Sequence, residues 1–246
     1  MWQLFSDNRR KKILATPFPS AWEGHIQNNI QYYQHLNNEE KKRLQDLIQI
    51  FIAEKSWLGC NGLELTDEIR VMIAAHACLM ILALPNDYYR NVESIYVYPT
   101  TIFSPESSIG FFEVSTTPVQ GAMPILGEAH HRGPVILVWD VVKKETRHPE
   151  HGHNVVYHEF AHKLDMLDGS ADGTPLLTTP EEYQLWVEVC SKEYLELCSK
   201  VEHGLPTFFD SYAATDEAEF FAVVTEYFFC KPENMKHYHP KLYQVL

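Results

Sequence analysis

Residues 158–162 read His-Glu-Phe-Ala-His. On a helix, positions i and i+4 lie one above the other, so His158 and His162 can offer both imidazoles to one metal ion. Glu159 between them points to the neighbouring side, where it can accept a proton from water without ligating. The chemistry this spacing predicts is metal-assisted hydrolysis. Chance places only about 0.06 such patterns in a chain of this length with this share of His and Glu. A catalytic site also needs a third protein ligand and an open position, and three acids compete for the role. Asp168 lies at the spacing of a longer metal-binding pattern, but that pattern carries a glycine where this chain has Asp165, and Asp168-Gly169 also reads as a helix stop. Glu219 and Glu226 are seven residues apart and share a helical face. Glu219 fits a capping box with Asp216, and Glu226 fits a solvated face. Spacing leaves the three open.

The elements that must carry these residues are legible as helices. A helical pattern runs from Asn154 to about Leu167, another from Glu181 to Lys200 and a third from Asp216 to Phe229, with loops between them. Upstream, helical signals run from Asn38 to Leu84: Asn38 is a candidate N-cap, Thr66 a second, and Pro85 a stop. The intervening stretch is β-like at Ile95–Tyr98, Ile109–Val114 and Val135–Trp139. The order is helices, a few strands, then helices, which predicts an α+β fold with a small mixed or antiparallel sheet. A helical N-terminal region over 1–86 packed on a catalytic region over 87–246 is the expected organisation.

The 246 residues are 45% hydrophobic and 22% charged, which excludes disorder as the main state. The formal net charge is −13, a surface that repels phosphate backbones and argues against direct nucleic-acid binding. The five cysteines form no CxxC pair, so a reducing compartment is expected. The order of charges and apolar residues at the N-terminus is not that of a secretory signal, and Val71–Leu84 is too short to span a bilayer. A cytoplasmic protein with no membrane partner is the expectation. No local sequence signals a Ser/His/Asp or Cys/His triad or a phosphate-binding loop. Of the 13 histidines, His76 reads as a core residue, His148, His151 and His153 as a polar loop, and His237 and His239 as surface. Asp165 could hydrogen-bond a ligand imidazole, and Val135–Trp139 could offer an edge for an extended peptide.

Two segments carry a resemblance. Asn154-Val-Val-Tyr-His-Glu-Phe-Ala-His-Lys-Leu-Asp165 and Tyr212-Ala-Ala-Thr-Asp-Glu-Ala-Glu-Phe-Phe-Ala222 resemble the Mlc titration factor A family. They are similar, more distantly, to the catalytic domain of anthrax lethal factor. Tyr98-Pro99, Gly133–Trp139 and Thr225–Phe229 extend the likeness over most of the chain from about residue 40. The family consists of cytoplasmic bacterial zinc metallopeptidases of the gluzincin type, so the resemblance implies a zincin-like fold and peptide or protein substrates, with aminopeptidase action among the options. It implies His158, His162 and Glu219 as ligands of one catalytic zinc, Glu159 as the catalytic glutamate and Tyr212 as an active-site tyrosine. It also implies a second function, since the founding member is named for sequestering a DNA-binding repressor of sugar-uptake genes. The alternative expectation is therefore a regulatory binding protein with a structural or weakly active zinc site. Relatives are expected to continue beyond the position where this chain ends, Leu246.

Overall fold

The computed structural model describes residues 2–84, 89–100 and 133–246, with side chains from residue 8 onward. The first helices are α1 (Trp2–Leu14), α2 (Ser20–Asn29) and α3 (Asn38–Glu54). Helix α3 starts one residue earlier than the sequence suggested. Asn37, not Asn38, is the N-cap; it accepts from the backbone N–H of Glu39 and Glu40, and Glu40 returns a bond to the Asn37 N–H. Strand β1 (Ser56–Gly59) follows, then α4 (Asp67–Met80), whose first turn is capped by the Thr66 hydroxyl accepting from Ile69 N–H. Strands β2 (Ser94–Tyr98) and β3 (Val135–Val138) complete the described sheet, and α5 (Trp139–Arg147) begins where β3 ends. Then come α6 (Val155–Asp165), α7 (Pro180–Glu202), α8 (Glu217–Cys230), α9 (Pro232–Tyr238) and α10 (Pro240–Val245).

The sheet corrects the sequence reading. Its strand order is β1-β2-β3 and both pairings are parallel, with Trp57 opposite Ile95 and Ile95 opposite Val135. It is neither mixed nor antiparallel among the described residues. The physical reason is β1, a four-residue strand too short to stand out. With it in place, α4 becomes a crossover helix that returns the chain to the same end of the sheet, as a parallel pair requires. The strand expected at Ile109–Val114 lies outside the described residues. Helices α9 and α10 extend the C-terminal part beyond the expected last helix.

One buried cluster joins the N-terminal helices to the later ones. Leu44, Ile48 and Phe51 from α3, the apolar run of α4, Ile95 and Val97 from β2, Phe160 and Ala161 from α6, and Phe221 and Ala222 from α8 all belong to it. Phe160 is fully buried, with its ring 5.7 Å from Phe51 and 4.8 Å from Tyr89. Burial of such a side chain stabilises the fold by about 1.5–3 kcal/mol and helps seat the apolar back of α6 on the core. The front of α6 faces α8, the helix it packs against most extensively. His239, expected at the surface, is half-buried; its Nδ1 lies 2.7 Å from Glu193 Oε2 and its ring packs against Phe208 and Phe209. No described helix is long and apolar enough to cross a membrane.

His76 on α4 is buried, as the sequence suggested; its Nδ1–H donates to Met72 O at 2.9 Å and its ring meets Tyr157 of α6 edge-on at 5.1 Å. Burial pushes its pKa down to about 4. The unfolded chain therefore takes up this proton near pH 6.5 while the folded chain resists it until about pH 4. Stability should be intact above pH 6.5 and fall as the pH drops toward 4, by about 3 kcal/mol in total from this residue. Urea unfolding at several pH values checks this. In His76→Leu the pH slope over that window should flatten, and a wild-type-minus-variant difference that is constant with pH would contradict it.

Candidate metal centre

Helix α6 begins inside the protein, so its leading N–H groups need partners that water cannot supply. Side chains supply them. The Asn154 carboxamide accepts from Val156 and Tyr157 N–H, both at 3.1 Å. Glu145 Oε2 on α5 accepts from Val155 N–H at 2.6 Å, and Glu226 Oε2 on α8 accepts from Asn154 N–H at 2.6 Å. Gly152, at φ +85°, turns the chain into this start in a conformation that favours glycine. At the other end, the buried Lys163 ammonium donates to Gly133 O at 3.1 Å, tying α6 to the segment that enters β3.

This placement brings His158, His162 and Glu219 together. One ligand-type atom from each lies within 4.8 Å of the other two. His158 Nε2 is 3.2 Å from His162 Nε2 and 3.1 Å from Glu219 Oε2, and His162 Nε2 is 3.6 Å from the same oxygen. Glu219 reaches the histidines from the first turn of α8. Asp216 caps that turn by accepting from Glu219 N–H at 2.9 Å, leaving the Glu219 carboxylate free to point at α6.

The three side chains fit a metal ion. Glu219 Oε2 is buried and lacks an aligned hydrogen bond, although an imidazole nitrogen lies within ion-pair distance. The two imidazole nitrogens and this oxygen crowd together within 4.8 Å of one another, close enough to share one ion. A tetrahedral cation with bonds of about 2.0–2.1 Å spaces its ligand atoms about 3.3–3.4 Å apart, close to the separations seen here. The electrostatics agree. Burial pushes the His158 imidazolium down, but the Glu219 and Glu226 carboxylates outweigh it and raise the pKa to about 10. Burial pushes the Glu219 acid up, and the imidazoles of His158 and His162 more than reverse it, holding the carboxylate well below its usual range. The cluster is built to hold positive charge.

The remaining residues singled out in the sequence fall around this cluster. Glu159, half-buried on α6, adds its negative field at His158, Lys163 and Tyr212. Tyr212, in the short 3-10 turn Ser211–Ala214, has its ring 6.2 Å from that of His158. Burial and then the Glu219 carboxylate raise its pKa far above the usual value, so the hydroxyl keeps its proton. Asp168 is exposed and accepts from Ser170 N–H at 2.8 Å, part of a helix stop and away from the cluster. Asp165 is buried, but its oxygens accept from Gly173 and Thr174 N–H at 3.1 and 2.9 Å, not from an imidazole. Glu226 does not sit on a solvated face. It is 5% exposed, and its Oε1 lies 2.8 Å from His158 Nδ1.

The loop held by Asp165 braces the third acid. At Gly173, φ is +76° and an added Cβ would meet Glu217 O, in the first turn of α8, at 2.2 Å. Gly173→Ala should therefore shift that turn and cost about 1–3 kcal/mol of stability, with weaker metal uptake because Glu219 moves with it. Denaturation and metal titration of the variant check both, and an unchanged midpoint with unchanged uptake would contradict the bracing.

Facing helices thus converge two imidazoles and a carboxylate, with an acid beside them, in a group that could hold a metal ion. The family description Glucose-regulated metallo-peptidase M90 matches residues 5–246, and the chain belongs to this metallopeptidase family. Among curated relatives, a Synechocystis sp. protein described as uncharacterized is 39% identical over 98% of this chain and 86% of its own length. Mlc titration factor A of Klebsiella pneumoniae is 32% identical over 85% of this chain and 78% of its own. The protein of that name from Cronobacter sakazakii is 30% identical over 92% and 83% respectively.

Proposed function

We propose that the protein is a zinc-dependent peptidase in which His158, His162 and Glu219 hold one zinc ion. The observation that carries this reading is the convergence of two imidazole nitrogens and a buried, unaligned carboxylate oxygen on one point. When bound, zinc supplies Lewis acidity toward water and the scissile carbonyl. Glu159 then takes the proton of the attacking water and delivers it to the amine nitrogen that leaves. The Tyr212 hydroxyl, held protonated, donates to the carbonyl oxygen as that oxygen gains negative charge. The supporting architecture is a zincin-like one, with a cytoplasmic setting and peptide or protein substrates. Strand β3 stands at the end of the described strand order and precedes the metal helix, which suits an extended peptide adding by main-chain hydrogen bonds. Aminopeptidase action is one form this activity could take.

A second reading has its own support. Two of the relatives above carry the name Mlc titration factor A, which points to capture of a transcriptional repressor. At a formal charge of −13, an effect on transcription would pass through a protein contact and not through DNA. The test of the peptidase reading is cleavage of a peptide library, before and after chelation. Cleavage that stops on chelation and returns with zinc is expected. No cleavage by zinc-replete protein, together with binding of a repressor, would favour the second reading.

A further inference from the structure

Glu226 lies two helical turns beyond Glu219 on α8, buried, with both carboxylate oxygens engaged. Oε2 accepts from the backbone N–H of Asn154 at 2.6 Å, and Oε1 lies 2.8 Å from His158 Nδ1. The first contact is to the residue that caps α6, and the second is to an imidazole one turn into the same helix. We propose that Glu226 is the positioning residue of the metal centre: its carboxylate fixes the proton of His158 on Nδ1 and the ring in the plane that points Nε2 at His162 and Glu219. This inference rests on the metal-site reading above and adds to it a named residue outside the ligand set.

The chemistry follows from what each group can donate. An ionised carboxylate only accepts, and a backbone N–H only donates, so Oε2 is committed to Asn154. The remaining oxygen accepts from the imidazole, which places the proton on Nδ1 and leaves the lone pair of Nε2 free to bind a cation. Ring tilt is fixed by the same contact, because Oε1 cannot follow a rotated ring while Oε2 is tied to the backbone. Helix start and ligand orientation are thereby coupled through one side chain. A loosened α6 cap would misalign His158, and a misaligned His158 would strain the cap.

Glutamine at 226 keeps the shape and breaks the logic. It has one acceptor and one NH2, so it can serve Asn154 N–H or His158 Nδ1–H but not both. When its oxygen stays on Asn154, its NH2 faces Nδ1 and drives the proton to Nε2, where the cation belongs. Glu226→Gln should raise the zinc Kd by about 10–100-fold, the usual effect of losing such a support. Glu145→Gln is the control. Glu145 accepts from the very next N–H of α6, that of Val155, so it shares the capping role, while its charge acts on His158 through space. Glutamine at 145 keeps an acceptor for Val155 N–H, so the zinc affinity of Glu145→Gln should fall far less than that of Glu226→Gln.

The experiment uses the full chain, with zinc titrated against a chromophoric chelator and thermal melts of the metal-free forms. It adds nitrogen-15 spectra of histidine-labelled, zinc-loaded wild type. Expected are a Kd weakened far more in Glu226→Gln than in Glu145→Gln and a proton on His158 Nδ1 in the wild type. A Glu226→Gln Kd equal to wild type, or an equal loss in Glu145→Gln, would overturn the proposal. Should Glu226→Gln fail to fold, the wild-type spectrum decides, since a bare His158 Nδ1 overturns it without any variant. A wild type that takes up no zinc counts against the metal-site reading itself, so the two failures are distinguishable.

Discussion

Glu159→Gln is expected to lower kcat/KM for peptide hydrolysis by about 10²–10⁴-fold, the usual worth of a positioned general acid–base. That factor corresponds to about 3–5.5 kcal/mol of transition-state stabilisation. Glutamine has nearly the same volume as glutamate but no oxygen able to take the proton of water at neutral pH. The change leaves His158, His162 and Glu219 untouched, so zinc uptake should match wild type. It also leaves the fold in place, because Glu159 is half-buried while the residue that anchors α6 is its neighbour Phe160, fully buried against Phe51 and Tyr89. The loss should fall on kcat and not on KM, since the proton moves only in the reaction. Steady-state kinetics on zinc-replete variant checks this. Cleavage at the wild-type rate with zinc bound would remove Glu159 from the mechanism. The same variant separates the two functions, since a repressor-binding activity should survive it.

Glu219→Ala carries the second large effect. Removing one of three donors leaves two imidazoles, too few for the three protein ligands of a catalytic zinc. Zinc affinity should drop by more than about 100-fold, beyond the upper end of losses seen when only a supporting residue is removed. The local fold should persist. Asp216 caps α8 through the backbone N–H of residue 219, which alanine retains. The buried Glu219 oxygen that lacks an aligned partner also disappears, and with it a desolvation cost. Equilibrium dialysis with metal analysis measures the outcome. Undiminished zinc binding would remove Glu219 from the ligand set.

What was legible in the sequence follows the range of the forces involved. The pairing of His158 with His162 is a matter of one helical turn, and so is the Thr66 cap of α4; both can be read from spacing. The choice among Asp168, Glu219 and Glu226 is not local. It depends on how α6 and α8 pack, which periodicity does not report, and the resemblance rather than the spacing pointed to Glu219. The same blindness explains Glu226, which reads as a solvated carboxylate until α6 is docked over it. Asp165 sits close enough to His162 along the helix to suggest an imidazole partner, yet its oxygens go to Gly173 and Thr174, across a turn. In the sheet, Ser56-Trp-Leu-Gly59 offers four residues of alternating exposure, too little for a strand signal. Missing it hid the crossover through α4, and with it the parallel direction of the strands.

On the proposed reading, the chemistry requires one zinc ion held by His158, His162 and Glu219. Metal analysis of protein purified without chelator, set beside its peptidase activity, decides this. One zinc per chain is expected, lost on chelation together with activity and regained with it. Protein that cleaves peptides with no stoichiometric zinc, or whose cleavage survives complete removal of the metal, would contradict it.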